Sequence, residues 1–548
     1  MFYFNSLFKV SLLAAAVVLA GCGGGGSTAS SGSGTGGNGT GGGTGGSGSG
    51  GTSVTTYTAG VYPPEAQLKN FCAAPRSGTD PYTNQPYPDK AGSAQYEKMW
   101  LRSWSNRTYL WYSELPDVNP AGYGVEDYFE LLKTDQTTDS GAAKDQFHFA
   151  QDAAEYLQET EGGVVSGYGI KWQFGSVTPP RQLTVTYIEP DSPAAEAGVR
   201  RGDSLKFIDG IDFVNDNTQA GVAALNAGLF PANAGEPHQF VFERISGASQ
   251  TFNLVSADVS TSPVQNVQVL DNGGSKVGYL QFNSHIANAQ PQLIAAVEQF
   301  AAENVSELIV DLRYNGGGLL ALASQFGYMV AGDNIIQDRY FEKTQFNDKY
   351  PTTDAVTGQP LTPMPFYSVE IDYAQGGLTT NSLPNLGLSR VFVLTSESTC
   401  SASEAFINGL RGIDVEVIQI GGQTCGKPYG FYPTDNCGTT YFTVQFSGIN
   451  AKGFGDYADG FTPKAAPVFA ADVKGCPAAD DFSKPLGDAN EGMLKTALYY
   501  AANNSCPQTV AAAAVTAKQP NAGGLAIKQP DARMRSFILE NKINQPIK

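Results

Sequence analysis

Hydrophobic and polar positions change their rhythm several times along this chain. An apolar run over 10–20, preceded by Lys9, is about half the ~20 residues that a membrane-spanning helix needs. From 23 to about 53 nearly every residue is Gly, Ser or Thr. That composition makes a flexible coil with a mean reach of roughly 30 Å for ~30 residues. Residues 61–162 read as loop and then helix. Tyr96, Trp100, Trp104 and Trp111 recur at the spacing of one helix face. A second helical stretch is expected over 144–159, carrying Phe147, Phe149, Ala153, Tyr156 and Leu157. The aromatic stripe predicts a packed core face rather than a ligand platform, and His148 is expected to be structural.

Near Gly163 the pattern shortens to alternation, the period of half-buried strands: Leu183, Val185 and Tyr187 share one face. Beyond 263 strands and helices alternate. Strands are expected over 277–282, 308–313, 391–395 and 415–420, with helices over 287–304 and 402–410. The 308–313 strand breaks at Gly316-Gly317-Gly318. This predicts an α/β core ending near 510 and a loosely ordered tail over 511–548. The fold class is α+β and multidomain, since 548 residues exceed one compact unit.

Composition changes the picture in three places. A hydrophobic content of 41% with 11% aromatics is ample for real cores. A net charge of −18 argues against nucleic acid as a partner, because phosphate binding needs clustered Lys and Arg. The apolar leader ends in Leu19-Ala20-Gly21-Cys22, which looks like a bacterial lipobox. Residues 1–21 would then be a lipoprotein signal peptide, with 22–60 comprising the lipid-bearing Cys22 and the linker. An ordinary signal peptide with an incidental cysteine is the weaker reading, because linker sequence follows Cys22 at once. Gly23 is not an acidic retention signal, so the expectation is a lipid anchor in the outer membrane, facing the periplasm.

The other cysteines are Cys72, Cys400, Cys425, Cys437, Cys476 and Cys506. An even count in an exported chain suggests disulfides, and no Cys-x-x-Cys pair points to a zinc ribbon. Cys400–Cys425 and Cys425–Cys437 are both open pairings.

The chemistry centres on Cys400-Ser401-Ala402-Ser403-Glu404 and on Gly426-Lys427. Ser401 stands where a strand gives way to a helix. Ser401-x-x-Glu404 is a capping box, which explains it as helix punctuation. The same place suits a nucleophile, since helix-start amides can hold an oxyanion. The chain has only three histidines, so a base other than histidine is wanted. Lys427, among Pro428, Tyr429, Phe431 and Tyr432, could lose its charge by burial. Asp311-Leu312-Arg313-Tyr314-Asn315-Gly316-Gly317-Gly318 offers amides to an oxyanion and lacks the Gly-Lys-Ser/Thr of a phosphate loop. No Ser-x-x-Lys follows the leader, and no Gly-x-Ser-x-Gly occurs in the ordered region, which argues against β-lactamase and α/β-hydrolase chemistry.

Two resemblances follow from these motifs. Ser192-Pro193-Ala194-Ala195-Glu196-Ala197-Gly198, Arg201-Gly202-Asp203-Ser204-Leu205 and Ile208-Asp209-Gly210 resemble a PDZ domain of the bacterial protease type, placed at 163–260. Over most of 96–500 the order Asp-Leu-Arg-x-Asn-x-Gly-Gly, Ser-Ala-Ser-Glu, Gly-Lys is similar to that of the S41 serine peptidases, the carboxyl-terminal processing proteases. The resemblance implies a helical segment over 61–162, an inserted PDZ β-domain, and a ClpP/crotonase-like α/β protease core over 261–510. It implies Ser401 as nucleophile, Lys427 as general base and Glu404 as an acidic member of the site that supports the local hydrogen bonds. It implies Gly317 and Ala402 as oxyanion-hole donors and Gly167, Tyr168, Gly169 and Ile170 as the loop that holds a substrate's C-terminal carboxylate. No cofactor and no catalytic metal are expected. The chain departs from the family at Phe431, where many relatives carry a glutamine that orients the lysine. The expected function is an endopeptidase of the cell envelope that cleaves polypeptides near their C-termini. The alternative is a catalytically weak PDZ-containing adaptor lipoprotein that binds peptides.

Overall fold

A computed structural model describes residues 54–80, 85–154, 156, 164–508 and 524–527 of the chain. The expected signal peptide, Cys22, the linker to 53 and most of the 511–548 tail lie outside the described residues.

Helix α1 (Ala94–Thr108) buries its aromatic face. Trp100 and Trp104 stack at 5.2 Å between ring centroids, and both meet Tyr441. Trp111 leaves this pattern. The helix ends at Thr108, the backbone of Tyr109 turns extended, and the Leu110 N–H donates to the Val444 carbonyl at 2.8 Å. Trp111 instead stands edge-on to Tyr429, with centroids 4.8 Å apart.

The helix expected over 144–159 is corrected as well, because β1 (Phe149–Asp152) lies in its middle. It runs antiparallel to Thr439–Phe442, and Phe149 stacks on Phe442 at 4.2 Å. Cross-strand pairing of aromatic residues outweighs the local helical spacing here. His148 is structural: its buried ring stacks on Phe129 at 3.9 Å and bonds the Phe129 carbonyl at 2.9 Å.

Strands β2 (Val164–Gly167), β3 (Ile170–Ser176), β4 (Gln182–Ile188), β5 (Ser204–Ile208), β6 (Pro237–Glu243), β7 (Ser249–Val255) and β8 (Ala257–Ser260) follow. Their helices are α2 (Pro193–Ala197) and α3 (Gln219–Leu229). An antiparallel sheet runs β7-β6-β5-β4-β3, and β2 pairs with β8, which brings the ends of this unit together. It has a core of its own, built on Val185, Leu205, Leu225, Phe240 and Phe242. Ile527 inserts into that core, and its N–H donates to the Val177 carbonyl at 3.1 Å. The expected loose tail is therefore docked at 524–527.

Seven of the later strands form one sheet, in the order β9-β10-β11-β13-β14-β17-β16. They are β9 (Val264–Asn272), β10 (Ser275–Phe282), β11 (Glu307–Asp311), β13 (Arg390–Thr395), β14 (Glu416–Gly421), β16 (Thr462–Lys464) and β17 (Asp472–Pro477). Only β9 runs antiparallel to its neighbour. Helices α4 (Ala289–Ala302), α5 (Leu320–Ala331) and α6 (Ala402–Gly412) pack on one face, and α7 (Gly492–Asn503) packs on the other. A parallel sheet covered on both faces reads as continuous apolar runs, which is why 308–312 and 391–394 show no alternation. The carboxyl ends of adjacent β11 and β13 open onto the glycine loop and onto Ser401. That is the side of a parallel sheet where sites form. A smaller sheet pairs β12 (Tyr340–Phe346) with β15 (Phe446–Ile449), and β15 in turn with Tyr429–Gly430.

Three disulfides join Cys72–Cys437, Cys400–Cys425 and Cys476–Cys506. The alternative Cys425–Cys437 pairing is not formed. No helix of the described residues is long and apolar enough to cross a membrane.

Candidate active site

Ser401 is placed by the turn that follows β13. The Thr399 hydroxyl donates to the Leu312 carbonyl at 2.8 Å, and the Cys400 N–H donates to the Asn315 carbonyl at 3.1 Å. These bonds pull the turn against the loop after β11. Ser401 then enters α6 with φ 54° and ψ −114°, a backbone region that non-glycine residues occupy at a cost of about 1–3 kcal/mol. A strained serine at a helix start is a feature that surrounding structure must enforce, and such strain clusters at functional sites.

Glu404 does part of the enforcing. Its carboxylate is fully buried and accepts four bonds: from the Ser401 N–H at 2.9 Å, the Thr424 hydroxyl at 2.5 Å, the Gly426 N–H at 2.9 Å and the Lys427 N–H at 2.8 Å. One carboxylate thus holds the serine turn and the lysine turn together. Burial raises its pKa, and the four donors pull it back. The Cys400–Cys425 bond and the Cys425 N–H, 3.0 Å from the Thr399 carbonyl, tie the same two turns.

Lys427 is 1% exposed, and burial holds its amine well below the ordinary lysine pKa. Asp145 and then Glu404 favour the ammonium form but are the smaller influences. The Nζ lies 4.2 Å from the ring centroid of Phe431 and 4.8 Å from that of Phe147. Phe431 is thus one wall of the lysine's enclosure. The other walls come from the N-terminal region. Asp145 is fixed by the Tyr109 hydroxyl at 2.7 Å and caps the Phe147 N–H at 2.9 Å. Local sequence could not reveal Asp145 and Phe147, because they reach Lys427 only through tertiary packing.

Ser401, Ala402, Lys427 and Gly318 line one pocket. The Ala402 N–H belongs to the first turn of α6, whose amides have no helical carbonyl to meet. Gly317 lies hard against the serine turn with φ 108°, and a Cβ there would be 2.8 Å from the Cβ of Ser401. Its N–H, expected to serve an oxyanion, donates to Asn315 Oδ1 at 2.9 Å, so that amide is engaged within the loop. The next glycine, Gly318, is the one on the pocket wall.

His285, unremarked in the sequence, braces this loop. Its N–H donates to the Gly317 carbonyl at 2.9 Å and its carbonyl accepts from the Leu319 N–H at 2.7 Å. Burial drops its imidazole pKa to about 4, and the neutral ring meets Asn315 Oδ1 at 3.1 Å. Below the loop, buried Arg313 bonds Asp311 at 2.8 Å, Glu491 at 2.8 Å and Asp480 at 2.6 Å. Arg201, from the β-unit, donates to the Tyr314 hydroxyl at 2.6 Å.

The residues expected to hold a C-terminal carboxylate sit at the entry to the β-unit and do not line the Ser401 pocket. Gly167 ends β2 opposite Ala257, and Ile170 opens β3. The Tyr168 carbonyl accepts from the Ala194 N–H at 3.0 Å, and the Gly169 carbonyl from the Glu189 N–H at 2.8 Å. Cys400, Glu404 and Cys425 also cluster closely, but their disulfide leaves no thiolate to bind a metal.

Residues 276–435 match the model of Peptidase family S41. A carboxyl-terminal-processing protease of Picosynechococcus is 26% identical over 272 residues, covering 50% of this chain and 56% of that protein. One of Synechocystis is 30% identical over 167 residues, covering 30% of this chain and 37% of that protein. The matches thus span about half the length of these relatives or less. A Bacteroides fragilis crystal structure described as an S41 protease shares the fold, with a TM-score of 0.55 and 23% identity over 76% of this chain and 98% of that one. The chain carries a Peptidase family S41 domain, and carboxyl-terminal-processing proteases are among its homologues.

Proposed function

We propose that this protein is a serine endopeptidase with a Ser401–Lys427 dyad. Ser401 Oγ attacks the scissile carbonyl while the neutral Lys427 amine takes its proton. The tetrahedral oxyanion is held by the amides of Ala402 and Gly318, with Gly317 shaping the loop between them. Lys427 returns the proton to the leaving amine, and water then hydrolyses the acyl-enzyme by the same route. Glu404 acts as a positioning residue, since all its bonds go to backbone amides and a threonine hydroxyl. The observation that carries this reading is the buried Glu404 carboxylate gripping the amides of Ser401 and Lys427 beside one pocket.

In the same reading the unit over 163–260 is a PDZ domain. It captures substrate C-termini at Gly167, Tyr168, Gly169 and Ile170 by backbone amides and strand addition. Cys22 bears the lipid that anchors the enzyme on the periplasmic side of the envelope. The test compares turnover of unfolded protein substrates by wild type and Ser401→Ala. Cleavage by wild type alone supports the protease. Equal turnover by both removes it, and peptide binding without any cleavage leaves the adaptor reading.

A further inference from the structure

Glu342 is a buried carboxyl that the dyad chemistry does not use. It stands on β12, is 5% exposed, and has no hydrogen-bond or ion-pair partner among the described residues. It lines the same pocket as Ser401 and Lys427. Its place is made for it by Gly448, on the paired strand β15: a Cβ at 448 would lie 2.2 Å from the Glu342 carboxyl carbon. The walls between Glu342 and the nucleophile are apolar or aromatic, from Leu320, Ala405, Phe446 and Tyr457. The buried carboxylates around Lys427 are satisfied, Glu404 by four donors and Asp145 by the Tyr109 hydroxyl and the Phe147 N–H, so the lack of any donor at Glu342 is a local exception.

We infer that Glu342 is the specificity determinant of a substrate side-chain pocket beside Ser401, and that this pocket takes the basic side chain, lysine or arginine, of the residue donating the scissile carbonyl. This rests on the protease reading above. A buried carboxyl without a partner is costly, and an apolar substrate side chain would seal it in that state. A lysine or arginine stem can lie along the apolar walls while its cationic head meets the carboxylate. Burial pushes the pKa of this carboxyl up to about 8, which favours its protonated form at neutral pH. The arriving cation takes the place of that proton, which leaves to solvent. The other titratable groups lining this pocket are Tyr429, Tyr457 and Lys427; burial favours the neutral phenols and disfavours the Lys427 ammonium, the one side chain among them that could serve as a counter-cation. The inward carboxylate thus sets which residue is cut after, separately from the step that captures a C-terminus.

The test uses the full chain and internally quenched peptides that differ only at the residue before the scissile bond: lysine, arginine, norleucine or alanine. Wild type should favour lysine over its uncharged isostere norleucine by at least about 30-fold in kcat/KM. Glu342→Gln should abolish that ratio while still cleaving the norleucine peptide, and Glu342→Asp should keep a reduced preference. Fluorophosphonate labelling of Ser401 in each variant reports an intact site. Cleavage by wild type without basic preference, or with the preference retained in a Glu342→Gln protein that labels normally, overturns the inference and leaves the protease reading standing. No cleavage and no adduct in wild type overturns both.

Discussion

Lys427 and Glu342 are enclosed by the same fold and shifted in opposite senses, so their pH signatures separate them. The unfolded lysine stays protonated to about pH 10.4, whereas burial keeps the folded amine neutral to far lower pH. Between those limits the unfolded chain binds the extra proton, so stability rises with pH there. Lys427→Met should flatten that rise in urea-unfolding midpoints. Glu342 works the other way: its folded pKa of about 8 lies above the unfolded value of 4.5, so the native state binds the extra proton between them. Stability falls as pH rises through that window, and Glu342→Gln should unfold later than wild type by a margin that grows from pH 5 to pH 8. Glu404→Ala leaves three backbone amides without their acceptor and should lower stability by roughly 3 kcal/mol or more, seen in the same measurement. At this scale the sequence offers Ser401, Glu404 and Lys427 as candidates because each belongs to a short motif. It does not show Phe147, Asp145, His285 or Glu342, since no local pattern marks them. It also favours Gly317 over Gly318, a choice that depends on where the Asn315 side chain points.

Strands and helices with a strong period are legible in advance; those decided by a partner are not. The α1 face and the apolar strands of the parallel sheet follow from spacing and composition. The strand Phe149–Asp152 reads as helix because its aromatic spacing fits both periods until Thr439–Phe442 is alongside. The site itself lies between elements, where two turns are tied by Glu404 and by Cys400–Cys425. A closed loop of sequence separation 25 should contribute roughly 3 kcal/mol, so the paired substitution of Cys400 and Cys425 by serine is expected to lower the urea midpoint accordingly. It should also slow Ser401 labelling at denaturant levels where the fold is still intact. Arg201 links the β-unit to Tyr314, next to the glycine loop. Arg201→Ala should reduce kcat more than KM if that contact holds the loop in place, whereas equal change in both would mark it as a packing contact.

Over the whole molecule, the β-unit and the parallel-sheet core each have a separate apolar interior. The N-terminal region closes over the lysine with Phe147, so the enclosure of Lys427 is assembled from segments far apart in the chain. That assembly is why the sequence yields the order of parts but not the walls of the site. The anchor proposal is tested by Cys22→Ser, which should move the protein from the membrane fraction to the soluble one. The claim on which the chemistry turns is narrower: an amine kept uncharged by its surroundings switches on the hydroxyl at 401. The rate of fluorophosphonate attachment, followed from pH 5 to 10 with the adduct mapped by mass spectrometry, tests it most directly. Attachment at Ser401 should rise with pH through a midpoint well below 10.5 and should be nearly absent in Lys427→Met. An adduct elsewhere, or equal rates with and without the lysine, would contradict it.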